Sequence, residues 1–163
     1  MNAEQSVWTG RKRTEAALGH RRPDRVPRFD QTVYSNVASA ALGRELLTGG
    51  GALRFAEVEQ RCRGPEAAAG FEQRMLEDVA YMYRALGYDM GRVPWRDTRL
   101  PAEKLGEFTF LFGDRKRKGP WEIYRYAPES DNWHCVDGWL AGGDTDRLCD
   151  HLRKSSDSWD GPD

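Results

Sequence analysis

Behind Gly64-Pro65-Glu66, the residues Ala68, Phe71, Met75, Val79, Met82 and Leu86 recur at intervals of three or four. That spacing matches the roughly 3.6-residue turn of an α-helix and gathers the apolar side chains into one stripe. Proline suits the first turn, where its missing N–H would have no partner in any case, and Gly87 stops the helix. A helix with one long apolar stripe must bury it against another layer, so this element constrains the fold more than any other.

The flanking segments supply candidates for that layer. Residues 11–18 read as a short helix, with Thr9 as N-cap and Gly19 as stop. Arg28-Phe29-Asp30 reads as a short strand. Val33, Val37 and Ala41 fall at helical spacing and Gly43 ends that helix. A further apolar helix lies around Leu53 and Ala56, after Thr48-Gly49-Gly50-Gly51, which reads as a plain flexible linker. No GxGxxG or GxxxxGK[ST] pattern surrounds those glycines, so a phosphate loop is disfavoured. Residues 88–94 read as a strand entering a loop at Trp95. Strand, helix, helix, strand is the rhythm of a parallel α/β protein.

Past Leu100 the rhythm changes. Residues 108–112 and 121–126 read as the two strands of an antiparallel hairpin across a charged turn, and residues 132–136 as a third strand. Residues 144–152 read as a final short helix before a polar tail. Three regions follow: residues 1–100, with N-terminal helices and two βα units; 101–140, an antiparallel insertion; and 141–163, a helix and tail.

Composition excludes several classes. The 163 residues carry a formal net charge of -1, too little to draw in nucleic acid or an acidic membrane. The basic run Arg115-Lys116-Arg117-Lys118 stands alone at the hairpin tip and reads as a solvated turn. No stretch approaches the ~20 apolar residues of a membrane helix. Residues 1–25 hold no apolar run of the kind a signal peptide needs. Cys62, Cys135 and Cys149 are odd in number and far apart, as expected of reduced thiols in the cytoplasm. No metal site is expected within the chain. His134 and Cys135 would point to opposite faces of a strand, and Cys149 and His151 diverge on a helix.

Candidate site residues follow from position. In a parallel barrel, residues at or just past the C-terminal strand ends form the catalytic face. Asp30 closes the first strand, where a carboxylate can hold a proton or orient a substrate, or else cap a helix or loop. Asp97 follows the second strand and can bind substrate or else cap a helix or loop, and Tyr34 and Trp95 stand where they would line a pocket mouth as substrate-binding residues or else pack against helices. Asp89, near a strand start, reads as structural.

Residues 16–27, Ala-Ala-Leu-Gly-His-Arg-Arg-Pro-Asp-Arg-Val-Pro, resemble the opening of the uroporphyrinogen decarboxylase superfamily. Residues 84–94, Arg-Ala-Leu-Gly-Tyr-Asp-Met-Gly-Arg-Val-Pro, are similar to its helix-glycine-strand passage into the second strand. The resemblance covers residues 11–97 and implies a (β/α)8 TIM barrel with substrate at its C-terminal mouth. A whole barrel takes about 250 residues, so this chain is expected to be the N-terminal portion of one, carrying an antiparallel hairpin insertion. The haem-pathway decarboxylases have a Met-Arg-Gln-Ala-Gly-Arg-Tyr type stretch after the first strand. Here Arg28-Phe29-Asp30-Gln31-Thr32-Val33-Tyr34 stands there instead, without the arginine pair. The opening is more similar to the cobalamin-dependent methyltransferase branch. For a full-length parent the resemblance therefore implies zinc bound late in the barrel, a corrinoid partner, and a small-molecule or tetrapyrrole substrate. The alternatives are a porphyrinogen decarboxylase and a non-catalytic barrel remnant that pairs with a partner, such as the missing part of the barrel.

Overall fold

The structure is a computed structural model and describes residues 8–94, 96–116, 120–140 and 145–157. The long apolar stripe forms α4, Pro65–Ala85, entered from Gly64 at φ 121° and followed by Gly87 at φ 68°. Phe71, Met75, Val79 and Met82 are buried on it, as their spacing predicts. They pack with Leu53 of α3 (Gly50–Arg63), Ala38 of α2 (Ser35–Leu42) and Leu46 of the loop between. Met75, Met82 and Leu46 are 1% exposed, so each contributes about 1.5–3 kcal/mol relative to an exposed side chain.

α1, Gly10–Leu18, begins at Thr9, whose hydroxyl accepts from the Lys12 N–H at 3.2 Å. α2 is rotated from the expected stripe. Val37 is 56% exposed, and Ser35 and Ala38 are buried instead. The Ser35 hydroxyl sets this orientation: it accepts from the Thr48 and Gly49 N–H groups at 3.0 and 3.2 Å and donates to the Gly49 carbonyl at 2.7 Å. A hydroxyl spending all its bonds on one strand of backbone must face it, so the helix turns that side inward.

Among the described residues all four strands lie within 101–140: β1 Glu103–Gly106, β2 Thr109–Phe112, β3 Glu122–Ala127 and β4 Asn132–Gly138. They form an antiparallel meander in the order β1-β2-β3-β4, with Phe110 opposite Tyr124 in the expected hairpin. β1 escapes the hydrophobic pattern because all four of its residues are exposed. Its ladder to β2 and the Ala102 N–H bond to the Leu111 carbonyl hold it. A second core joins Phe110 and Phe112 to Val58, with Phe55, Tyr124 and Trp133 packed against it. Helix α3 therefore lies between α4 and the sheet. The final helix, α5, spans Thr145–Asp157.

The sequence reading needs two corrections. Gly49-Gly50-Gly51 is no flexible linker: Gly50 and Gly51 are the first residues of α3. A Cβ on Gly51 would lie 2.5 Å from the Asp131 carbonyl oxygen, and one on Gly49 2.9 Å from that of Val33. The glycines let the backbone approach other backbone closely. Secondly, residues 28–30 and 88–94, expected as strands, form none, and every strand pairing among the described residues is antiparallel. The two segments do lie side by side: the Arg28 carbonyl accepts from the N–H groups of Asp89 and Met90, at 3.0 and 3.3 Å. A single bonded point is short of a ladder. Among the described residues no helix is long and apolar enough to cross a membrane.

Candidate functional site

The junction of those two segments is built on Asp89. Its side chain is 3% exposed and accepts from Arg13 Nη1 at 3.1 Å, from Arg25 Nη2 at 3.0 Å and from the Arg28 N–H at 2.8 Å. Arg13 is held in place by a two-pronged pair with Asp24, at 2.7 and 2.9 Å. Burial opposes ionisation of Asp89, but the Arg28 N–H and the two guanidiniums outweigh it and keep the carboxyl below its ordinary value. Asp89 is structural, as its position in the sequence suggests. It ties α1, the Pro-Asp-Arg-Val-Pro turn and the passage after α4 into one knot.

Thr32 and Tyr34, downstream of Arg28, and Asp97 and Arg99, downstream of Asp89, line one cleft of about 460 Å³. Tyr34, 50% exposed, and Asp97 both line it. Asp97 pairs with Arg99 at 2.7 Å and accepts its backbone N–H at 3.1 Å. Partial burial again opposes ionisation, and Arg99 again wins, so the carboxyl lies below its ordinary value. Arg99 also reaches Glu122 at 2.6 Å, and hydrogen bonding to Asp97 raises its own pKa further. Arg54 enters from α3 with 20% of its side chain exposed and lies 3.5 Å from Glu57. Burial lowers its pKa, against the pull of Glu57 and Asp97.

The sheet supplies the opposite wall. Tyr124 and Trp133 stack with centroids 5.5 Å apart and planes 14° apart. They are diagonal neighbours, since Tyr124 opposes Cys135 while Trp133 opposes Tyr126. Burial raises the Tyr124 phenol pKa. At the floor, Asp131 takes a left-handed φ of 47°, and its Oδ1 accepts the Ala52 N–H at 2.6 Å. It caps α3 from a distant part of the chain.

The structure thus brings together Tyr34 and Asp97 but not Asp30. The Asp30 carboxylate is exposed, accepts the Thr32 N–H at 3.3 Å in a local turn, and does not line the cleft. Its carbonyl accepts from Tyr83 at 3.1 Å. Trp95 lies outside the described residues. Arg54, Arg99, Tyr124, Asp131 and Trp133 are among the cleft residues that sequence reading missed. The one signal in the sequence was the alternation of β3, which placed Tyr124 on a face without saying what shared it.

In the basic run, Arg115 pairs with Asp137 at 3.1 Å, while Arg117 and Lys118 lie outside the described residues. Among the described residues no group of three or more His, Cys, Asp or Glu side chains is placed to hold a metal ion. Cys62, Cys135 and Cys149 are exposed free thiols. Compared with known protein families, curated proteins and solved structures, the chain finds no match.

Proposed function

We propose that the chain is the N-terminal part of a uroporphyrinogen decarboxylase-like barrel enzyme of the cobalamin-linked methyltransferase branch, and that the Tyr34–Asp97 cleft belongs to its substrate-binding mouth. One observation carries the reading. The two segments that bear the resemblance start side by side at Arg28 and Asp89, and their downstream residues converge on the same cleft. A parallel barrel requires that of its first two strands, whose C-terminal ends must open on a common mouth. In this reading the segments become ladder strands when the rest of the barrel closes beside them. The chain's own contribution is to orient substrate, with Tyr34, Tyr124 and Trp133 offering aromatic surface and Arg54 and Arg99 offering donors. Zinc and the corrinoid partner belong to the remainder of the parent, where methyl transfer takes place.

The decarboxylase alternative gains something from the structure, because Arg54 and Arg99 give the cleft two guanidiniums the sequence did not advertise. Both face carboxylates already, Arg54 with Glu57 and Arg99 with Asp97 and Glu122. An octa-acid needs cations in excess of the site's own anions, so methyl transfer remains the better reading.

The test is to express the reading frame continued past Asp163 and to assay methylation of cob(I)alamin beside decarboxylation of uroporphyrinogen. The account expects about six further strand–helix units and methyl transfer by the longer product. The 163-residue chain alone should catalyse neither reaction. Turnover by that chain above a heat-killed control would sink the reading. A stop codon after Asp163 would favour the non-catalytic remnant.

A further inference from the structure

A second cleft, of about 560 Å³, lies beyond Arg99 at the start of β3 and the end of β4. Its volume is in the range of small-molecule sites. Trp121 and Trp139 line it, and the Trp139 N–H donates to the Trp121 carbonyl at 2.8 Å, so the two are cross-strand neighbours. His151 of α5 sets its ring edge against Trp139, with centroids 5.5 Å apart. Val136 and Leu140 add apolar surface and are 44% and 41% exposed.

Among the described residues that line it are two carboxylates, Glu122 and Asp137, and one guanidinium, Arg99. Arg99 is shared between Asp97 and Glu122, and Arg115 serves Asp137. Glu122 and Asp137 both line the cleft, beside the tryptophans. An anion entering here would meet those carboxylates, and an uncharged apolar ligand would make no use of them. A cation meets both features, since the face of an indole attracts positive charge. The chain itself displays the interaction. The Arg115 guanidinium stands 4.6 Å from the centre of the Trp121 ring and 3.1 Å from Asp137.

We infer that this cleft is a site for a small organic ammonium ion, held by Trp121 and Asp137, with Arg115 as a built-in competing cation. The inference is independent of the Tyr34–Asp97 cleft and of the barrel reading. Choline is a suitable probe. Its uncharged isostere, with carbon in place of the quaternary nitrogen, has the same shape and lacks the charge.

Isothermal titration of the 163-residue chain tests this. Choline should bind about tenfold more tightly than the isostere, the scale of a partly desolvated cation–π contact. Arg115→Ala removes the competitor and should tighten choline binding about threefold or more. Trp121→Leu should abolish the preference for choline and Trp121→Phe should retain part of it, which separates loss of the ring from loss of the fold. Equal affinity for choline and the isostere would overturn the inference. So would Arg115→Ala binding choline no more tightly than the parent, or no binding by either protein.

Discussion

Replacing Asp89 with asparagine removes one charge from a buried carboxylate bonded by two arginines and a backbone N–H, and leaves its volume unchanged. Breaking a buried ion pair from one side typically costs 3–5 kcal/mol, because the partner is left uncompensated. Here the stranded charges have some relief. Arg13 keeps Asp24, and the Arg25 side chain is 36% exposed and can turn to water. The expected loss is therefore at the low end, about 3 kcal/mol. For a chain of this size that lowers the melting temperature by about 6–12 °C. The pH dependence is equally specific. The folded-state pKa of Asp89 is lowered, so its ionised form stabilises the fold at all pH values above the unfolded carboxyl value of about 4. That contribution is lost as pH falls through the depressed folded value. Urea unfolding followed by circular dichroism should show a constant gap between parent and Asp89→Asn from about pH 5 to 8, narrowing in stronger acid. A melting temperature unchanged by the substitution, or a gap that widens as pH falls, would refute the role given to this knot.

Gly51→Ala should cost about 2 kcal/mol, the scale of an overpacked contact, because its Cβ would press on the Asp131 carbonyl 2.5 Å away. Gly70→Ala, in the interior of α4 with nothing within 4 Å, should instead stabilise the protein by about 0.5–1 kcal/mol. Equal responses in thermal melts would contradict the close-approach explanation for the glycine triplet. Asp30→Asn should leave the melting temperature of the chain unchanged, since the exposed carboxylate holds only a local turn. A clear drop in melting temperature would contradict that placement.

How much of this was legible in the sequence depended on the distance over which each residue is determined. The α4 stripe and the Thr9 cap are local, and the residues alone specify them. The Gly49–Gly51 triplet looked permissive because a sequence shows that glycine can bend, not what crowds it; the crowding comes from Val33 on one side and the distant Asp131 on the other. Residues 28–30 and 88–94 read as strands, but a ladder needs a neighbour along its whole length, and these share one carbonyl. Tyr34 and Asp97, singled out by position in the sequence, line one cleft. Position could not supply the facing wall, because the irregular register between Ile123 and Tyr124 decides which β4 residue Tyr124 meets.

The central claim is that residues 28–30 and 88–93 are the first two strands of a parallel barrel whose mouth holds Tyr34 and Asp97. A crystal structure of the protein encoded by the reading frame continued past Asp163 tests this most directly. The account predicts a parallel ladder running on from Arg28 and Asp89, a closed ring of strands beside it, and the Tyr34–Asp97 cleft open to the ring's C-terminal mouth. Finding the two segments still unladdered, or the cleft on the outer wall away from the strand ends, would contradict it.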